Sequence, residues 1–247
     1  MLRCLRADVH IHTCLSPCGD LTMSPLRIVK RAREMKLDIL GICDHNSAEN
    51  VQATIDASSH TNITVLAGME VTTAEEVHVI ALFDNSKDVL NLQEIVYEHL
   101  PPEKNDEKLF GEQIIVNEHD EVEGYDERLL ISAINLRLKK VVQEVHRLGG
   151  LAIASHVDRE TYGIIGQLGF IPDNLELDAL EISPQTSQSD AVSRFPEIKK
   201  FPLVSASDAH FLDDIGRATT SFLLEAPTIT EIKKAFLGEE GRKVVLE

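Results

Sequence analysis

Short apolar runs alternate with amphipathic segments along the chain. Residues 6–12 alternate polar and apolar side chains as a strand does, and residues 37–43 are almost wholly apolar, which is typical of a strand buried on both faces. Between them, Ser24 and Pro25 suit the start of a helix whose apolar positions repeat at helical spacing through Lys36. This succession predicts an α/β fold built on a parallel sheet.

The alternation continues to the C-terminus without an interdomain linker or an internal repeat. We predict one domain, residues 1–247, with a lid or insertion at about 84–126. The further predicted strands lie at 63–69, 77–83, 151–155, 179–183 and 201–206, with a small hairpin at 113–123 and an edge pair at 221–224 and 243–246. The further predicted helices lie at 48–58, 89–99, 126–149, 162–168 and 229–237.

Residues that commonly bind metals recur where the predicted strands end. His10 and His12 are two residues apart on one strand and therefore project from the same face. Any one such histidine is as consistent with a structural role, and His78 lies inside a predicted strand, but the recurrence favours a metal site. The candidate ligands are His10, His12, Asp20, His45, Glu70, His78, His156, Asp208 and His210. They exceed the needs of one four-coordinate ion, so we expect two to three divalent ions of Zn, Mn or Fe.

The composition argues against some classes of partner and cellular location. The formal net charge of -17 argues against binding nucleic acid over a broad basic surface. There is no apolar N-terminal stretch typical of a secretory signal and no segment of membrane-spanning length, so we expect a cytoplasmic protein without a membrane partner. Four cysteines are few for a disulfide scaffold. Cys14 and Cys18 adjoin the predicted site, where packing, a metal or redox role and control of metal access all remain open.

Five short motifs together resemble a known family. His10-Ile11-His12, Asp44-His45, Gly68-Met69-Glu70, Ser155-His156 and Ser207-Asp208-Ala209-His210 resemble, in that order, the motifs of the polymerase-and-histidinol-phosphatase (PHP) domain. The resemblance implies a distorted (βα)7 TIM-like barrel of the PHP/amidohydrolase-like type. It also implies a trinuclear metal centre and phosphoesterase activity.

The resemblance also distributes the ligands among three ions. It places His10, His12, Glu70 and Asp208 on the first ion, Glu70, His78 and His156 on the second, and Asp20, His45 and His210 on the third. The segment 16–20 is longer than the family's short form of this loop, so the alignment of Asp20 with the family's ligand is less secure than that of the other residues. Asp44 precedes a ligand, and we expect it to orient a neighbouring imidazole or a water.

The expected chemistry follows from such a cluster. Two ions that share Glu70 would lower the pKa of a water, and the resulting hydroxide would attack phosphorus in line with the leaving oxygen. Arg159 or, as second choice, Arg217 would bind the non-bridging oxygens, although either could equally form a surface ion pair. The candidate catalytic residues are therefore Asp208, Glu70, Arg159 and Arg217.

Several functions fit this reading. The leading hypothesis is a metal-dependent phosphoesterase acting on a small phosphate monoester or a nucleotide. One alternative is a 3′-to-5′ exonuclease or nucleotide phosphodiesterase that acts on a short single strand. An alternative of another class is a non-catalytic, metal-stabilised PHP module. A C–N bond amidohydrolase is disfavoured, because Glu70 stands where that group of enzymes typically uses a carboxylated lysine.

Overall fold

The apolar runs of the sequence assemble into one barrel-shaped sheet with helices around it. The structure, a computed structural model, describes residues 1–246. Its strands are β1 (Arg3–Ile11), β2 (Ile39–Ile42), β3 (Thr64–Thr72), β4 (His78–Phe83), β5 (Ile114–Val116), β6 (Val122–Tyr125), β7 (Leu151–Ala154), β8 (Ala179–Ile182), β9 (Leu203–Ser205), β10 (Thr220–Leu224) and β11 (Lys243–Leu246). Its α-helices are α1 (Pro25–Glu34), α2 (Val51–Ser58), α3 (Ser86–His99), α4 (Glu107–Phe110), α5 (Leu138–Arg147), α6 (Ile164–Leu168), α7 (Gln188–Arg194) and α8 (Ile229–Leu237).

Nine strands form the main sheet, in the order β11-β10-β1-β2-β3-β4-β7-β8-β9. The two ends of this order approach each other, since β9 lies against β11, and the sheet is therefore nearly closed. β1, β2 and β3 are parallel, as are β7, β8 and β9. β5 and β6 form a separate hairpin. The predicted α/β barrel fold is confirmed.

One strand runs against its neighbours. β4 follows β3 through a tight turn, in which Thr73 N donates to Val77 O at 3.0 Å, and it pairs antiparallel with both β3 and β7. The parallel pattern expected at this point is wrong, because the connection of residues 73–77 is too short for a crossover between parallel strands. The reversal puts the beginning of β4, at His78, on the edge of the sheet where the parallel strands end.

Alternate side chains of the strands pack on the two sides of the sheet. In β7, Leu151 and Ile153 belong to an inner apolar cluster that α8 also joins, whereas Ala152 and Ala154 belong to the larger cluster under the surrounding helices. The barrel interior is therefore filled by apolar side chains, and the polar candidate ligands lie near one end of it.

A β-bulge in β1 breaks this alternation. Asp8 pairs with Leu40 and Ile11 pairs with Ile42, so three steps along β1 match two steps along β2. Val9 belongs to the inner cluster and Ile11 to the outer one, and the intervening His10 therefore turns inward with Val9. The bulge aims His10 and, two residues later, His12 into the barrel.

The predicted helix at 126–149 begins too early. The helix α5 begins only at Leu138, although Leu130 and Ile134 are buried as their apolar spacing suggested. Side chains bind the backbone carbonyls that a helix would need: Gln113 Nε2 donates to the carbonyls of residues 126 and 128, and Asn46 Nδ2 donates to those of residues 130 and 132. These side-chain contacts hold residues 126–137 in an irregular, non-helical connection.

The predicted insertion at about 84–126 contains α3, α4 and the β5–β6 hairpin. The hairpin packs on the loop after β1, where Ile114 N donates to Cys14 O at 3.0 Å, and on Asn50, whose side chain bonds to Ile114 O and Val116 N. A lid function for this segment and the single domain of residues 1–247 stay predictions, and Glu247 lies outside the described residues. No helix within residues 1–246 is long and apolar enough to cross a bilayer.

Gly41 on β2 faces the bulge of β1, and a substitution at Gly41 tests whether the bulge requires this close approach of the two strands. A Cβ at this position would lie 2.3 Å from Val9 O, so we expect Gly41→Ala to force the two strands apart. Overpacking of this kind costs about 1–3 kcal/mol, which corresponds to a fall in Tm of about 2–12 °C for a chain of this length. Thermal unfolding followed by circular dichroism measures the change. The control is Gly124→Ala, where a Cβ meets nothing within 4 Å; equal Tm values for the two variants would contradict the explanation.

Candidate metal centre

The candidate ligands meet at the end of the barrel where the parallel strands finish. Two isolated backbone bridges set their positions: residue 45, beyond β2, pairs with residue 70 of β3, and residue 11 of β1 pairs with residue 209, beyond β9. The residues that come together there are His10, His12, His45, Glu70, His78, His156, Asp208 and His210. His78 joins them because β4 is antiparallel and starts at this edge. The sequence places His78 inside a predicted strand rather than at its end, which made it the weakest of the candidates.

Glu70 lies at the centre of the group and is almost fully buried. Its Oε1 is 3.0 Å from His78 Nδ1 and 3.4 Å from His10 Nε2. Its Oε2 is 3.1 Å from His45 Nδ1 and 3.5 Å from His12 Nε2. The two oxygens of one carboxylate thus face different imidazoles, which is the arrangement that a carboxylate shared between two cations requires.

A second corner of the site is formed by His10, His12 and Asp208. The Nε2 atoms of the two histidines are 3.1 Å apart, and Asp208 Oδ1 lies 3.4 Å and 3.2 Å from them. All three groups therefore point at one small volume, and they form one of three compact sets of donor atoms; the others are His12, His45 and His210, and His45, Glu70 and His78.

The charges in this cluster shift its pKa values strongly. Burial raises the pKa of Glu70, but the imidazoles of His78 and His10 outweigh burial and hold that pKa well below its usual range. Burial lowers the pKa of His10, yet attraction to Glu181, Glu70 and Asp208 raises it well above the ordinary value. Burial, aided by the nearby charge of His210, lowers the pKa of His12. Adjacent imidazoles thus differ in their readiness to hold a proton.

Several buried polar atoms of the cluster form no aligned hydrogen bond, although three of them take part in the close contacts between Glu70 and the imidazoles. Within residues 1–246, they include His45 Nδ1, Glu70 Oε1, His78 Nδ1 and His156 Nδ1. Leaving such atoms unpaired costs about 1–3 kcal/mol each. Imidazole nitrogens and carboxylate oxygens are the donors that Zn, Mn and Fe accept, so this donor set fits divalent ions well.

The backbone is strained at two of the candidate ligands. His156 has a φ of 28° and Asp208 a φ of 51°, a region that residues other than glycine rarely adopt. His156 lies two residues after β7 and Asp208 three residues after β9, and the turn at each position directs its side chain back over the barrel end. Strain of this kind persists where the surrounding structure enforces it, as it does at functional sites.

Outer partners fix the orientation of the first two histidines. His10 Nδ1 donates to Glu181 at 2.9 Å, and His12 Nδ1 donates to Ser16 Oγ at 2.9 Å. Ser16 Oγ in turn donates to Asp44 at 2.6 Å, so Asp44 orients an imidazole through this serine. These contacts through Nδ1 direct the Nε2 atoms of both rings toward the cluster.

Glu181 contacts the candidate ligands but is not among the site residues predicted from the sequence. It is fully buried on β8, and its Oε1 also accepts from His156 N at 3.2 Å, so it positions two of the candidate ligands. The available signal was a single acidic residue within the apolar run of residues 179–183, since a charge is buried there only with a partner.

Two residues proposed from the sequence are not brought into the cluster. The carboxylate of Asp20 is open to solvent and accepts from Thr22 N and Thr22 Oγ1 at 2.8 Å and 2.5 Å. Arg217 is mostly exposed and pairs with Asp214 at 3.0 Å. Local hydrogen bonds within each loop turn both side chains away. Arg159, the first choice among the cations, does reach the cluster, where its Nη1 lies 2.7 Å from Asp208 Oδ2.

Cys18 lies two residues before Asp20 on the loop after β1. Partial burial raises the pKa of this thiol, but the charge of His45 and hydrogen bonding with His210 and His45 outweigh burial and lower the pKa to about 6. The neighbouring Cys14, by contrast, is buried toward Ile114, and burial raises its pKa to about 12.

We expect Glu181→Gln to weaken metal binding without unfolding the chain. Glutamine keeps the shape but removes the charge that holds the Nδ1 proton of His10, and the loss of such an outer partner reduces metal affinity by about 10–100-fold. Competition for Zn²⁺ against a chromophoric chelator measures the affinity. Glu176→Gln, an exposed change three residues before β8, is the matched control, and equal affinities of the two variants would count against the role of Glu181.

Known proteins similar in sequence to this chain include members of a family with the same motifs. The family model described as the PHP domain matches residues 8–169, which is more than half of the chain, and a PHP-associated model matches residues 190–238. Among curated proteins, the uncharacterised protein YqxK of Bacillus subtilis is 24% identical over 270 aligned residues, which cover 97% of this chain and 63% of YqxK.

Solved structures show the same fold at low sequence identity. The lesion-specific endonuclease Q of Pyrococcus furiosus is 19% identical with a TM-score of 0.74; the match covers 98% of this chain and 58% of that one. A complex of endonuclease Q with a 27-mer duplex that carries an abasic lesion at the active site has a TM-score of 0.77, also at 19% identity and the same coverage.

A two-domain protein of Bacteroides vulgatus, which contains a predicted PHP-like metal-dependent phosphoesterase, is 14% identical with a TM-score of 0.59; the match covers 100% of this chain and 66% of that one. The present chain thus spans about three fifths of the length of YqxK and of endonuclease Q. The matched residues 8–169 include the motifs at His10, His45, Glu70 and His156. The chain therefore belongs to the PHP family, a family of metal-dependent hydrolases.

Proposed function

We propose that this chain is a phosphoesterase that uses two to three divalent ions to hydrolyse a small phosphate monoester or a nucleotide. The observation that carries the proposal is the position of Glu70, a buried carboxylate whose two oxygens face separate imidazoles at 3.0 Å and 3.1 Å. Phosphoester hydrolysis by metal ions needs such a shared ligand, because it holds two ions close enough to act on one phosphate.

The donor sets indicate which residues would hold the ions. His10, His12, Glu70 and Asp208 would hold one ion, and His78 and His156 would hold a second together with Glu70. When bound, such ions activate a water for attack on phosphorus and neutralise the charge of the phosphoryl oxygens. Glu181 and the Ser16–Asp44 pair orient the imidazoles throughout, and burial of the cluster limits competing water.

Arg159 is suited to bind the phosphate. Its side chain is 35% exposed, so the guanidinium lies at the boundary between the buried cluster and solvent. Its present partner, Asp208, belongs to the proposed ligand set, and a phosphate between them would accept the forked donors that the guanidinium offers. A cation in this position stabilises the negative charge of the non-bridging oxygens in the transition state.

The charge of the chain bears on the size of the substrate. A net charge of -17 repels a long polyanion, and binding to duplex DNA depends on many phosphate contacts with basic side chains. A single phosphate can still enter, because the local cations outweigh the distant acidic groups at physiological salt. The β5–β6 hairpin packs on the loop after β1, and we propose that it forms the lid of this small-substrate pocket.

A nucleic-acid substrate is the second candidate. The likeness to endonuclease Q favours it, since a duplex with an abasic lesion lies at the active site in the complex of that protein. The present chain covers 58% of endonuclease Q, so further parts of that protein have no counterpart in the residues compared. A short single strand that reaches the metal cluster would satisfy both this likeness and the acidic surface.

The first experiment combines metal analysis with a substrate panel. We expect two to three equivalents of Zn, Mn or Fe per chain, and phosphate release from sugar phosphates or nucleotides faster than cleavage of oligonucleotides. Glu70→Gln removes the shared charge, and we expect kcat/KM to fall by about 1,000-fold or more. His60→Asn, a change at an exposed histidine just after α2, serves as control. Fewer than two equivalents after reconstitution, or full activity of Glu70→Gln, would contradict the proposal; preferential cleavage of oligonucleotides would establish the second candidate.

The two candidate arginines can be separated by mutation. We expect Arg159→Ala to lower kcat/KM by about 10–100-fold, because a charge-assisted contact with the phosphate is lost. Arg217→Ala should leave kcat/KM unchanged, since that side chain pairs with Asp214 on the surface. Steady-state kinetics on the best substrate of the panel measures both effects. The assignment fails if Arg217→Ala is the more damaging change.

A further inference from the structure

An aromatic side chain lies at the edge of the metal cluster. Tyr162, on the loop between β7 and α6, stacks on the imidazole of His78, with the ring centroids 4.3 Å apart and 16° between the ring planes. Tyr162 is nevertheless 40% exposed, whereas His78 is buried, so part of the tyrosine ring remains accessible to a ligand. We propose that Tyr162 stacks on the base of a nucleotide whose phosphate binds at the metal centre.

The backbone holds this tyrosine in a conformation that a bulky residue rarely adopts. Tyr162 has a φ of 60°, in the left-handed region, and its carbonyl accepts from His78 N at 2.9 Å. The next residue, Gly163, packs against the start of the same loop, since a Cβ there would lie 2.5 Å from Arg159 O. Strained residues of this kind cluster at functional sites. A ring that is already fixed in place also loses little conformational freedom when it binds a ligand.

The same loop carries the cation proposed to bind the phosphate. Arg159 stands three residues before Tyr162, and its Nη1 lies 2.7 Å from Asp208 Oδ2. Both side chains are partly exposed, so both lie where the buried cluster meets solvent. One imidazole, that of His78, separates the tyrosine ring from the carboxylate of Glu70. In a nucleotide a ribose separates the phosphate from the base, so the loop offers one contact to each end of such a molecule.

A base suits this ring better than a sugar does. Every base has a π-face, and stacking of a base on an aromatic side chain contributes substantially to binding without reading the sequence. Stacking also needs no basic surface, so it is compatible with the net charge of -17. The proposal rests on the proposed function and narrows its substrate class to nucleotides, with little discrimination among the bases and with sugar phosphates as poorer substrates.

Two substrates that differ only in the base test the proposal kinetically. We expect the metal-loaded chain to hydrolyse adenosine 5′-monophosphate with a higher kcat/KM than ribose 5-phosphate. Tyr162→Leu keeps an apolar side chain but removes the π-face, and we expect it to lower kcat/KM for the nucleotide by about 5–150-fold, mainly through KM, and to leave ribose 5-phosphate unchanged. Tyr162→Phe should behave as the wild type. The matched control is Phe170→Ala, at an exposed aromatic residue just after α6.

Binding of adenosine supplies a readout that does not depend on activity. Adenosine carries no phosphate, so its contact with the stacking ring can be measured with and without metal. In saturation-transfer NMR, we expect stronger signals from the base protons than from the ribose protons in the wild type, Tyr162→Phe and Phe170→Ala. Tyr162→Leu should lose the signals of the base protons. Circular dichroism and metal analysis verify that each variant is folded and that His78 still takes part in binding the ions.

The outcomes separate this proposal from the proposed function. An equal fall of kcat/KM for both substrates in Tyr162→Leu would mean that the tyrosine only orients His78, and it would overturn the base site. Base-proton signals that persist in Tyr162→Leu would overturn it as well. A chain that hydrolyses both substrates equally well, with no effect of Tyr162→Leu, would retain the proposed function and reject the base site. A metal-loaded chain that hydrolyses no phosphoester would refute both.

Discussion

The structure of the site depends on one buried carboxylate. Glu70 is 1% exposed, and a charge so buried is costly unless opposite charges and hydrogen-bond donors surround it. Its neighbours are almost all imidazoles, which can supply that compensation as protonated rings or, when neutral, by sharing a metal ion with the carboxylate. The low pKa of Glu70 and the raised pKa of His10 agree with the first possibility. The lowered pKa of His12, together with the His45 and His78 nitrogens that form no aligned hydrogen bond, agrees with the second.

Two irregularities of the barrel bring the imidazoles to that carboxylate. The bulge in β1 turns His10 and His12 to the inside of the sheet, where the regular alternation would have left them under the helices. The reversal of β4 delivers His78 from the beginning of a strand to the edge at which other strands end. The bulge interrupts the ladder between β1 and β2, where Gly41 makes room for it, whereas β4 keeps an unbroken antiparallel ladder with both neighbours.

The charges around the cluster divide into an inner and an outer layer. Inside, imidazoles balance Glu70, Asp208 and Glu181, and one guanidinium, that of Arg159, reaches the cluster from the solvent side. Outside, the surplus of acidic residues gives the chain its net charge of -17. A site of this kind favours a ligand whose negative charge is compact, because the inner cations act at contact distance while salt screens the outer acids.

The sequence by itself determined the fold class and most of the candidate site, because apolar periodicity marks strands and because ends of neighbouring parallel strands lie at one edge. The order of the motifs from His10 to His210 was enough to name eight residues that the structure brings together. Only the tertiary structure decided the rest. Glu181 is one acid among 41 acidic residues, and its role depends on a strand more than 160 positions from His10. The direction of β4, the irregular connection before α5 and the position of Asp20 outside the cluster depend on side-chain hydrogen bonds to the backbone and on loop geometry, which leave no periodic signal in the sequence.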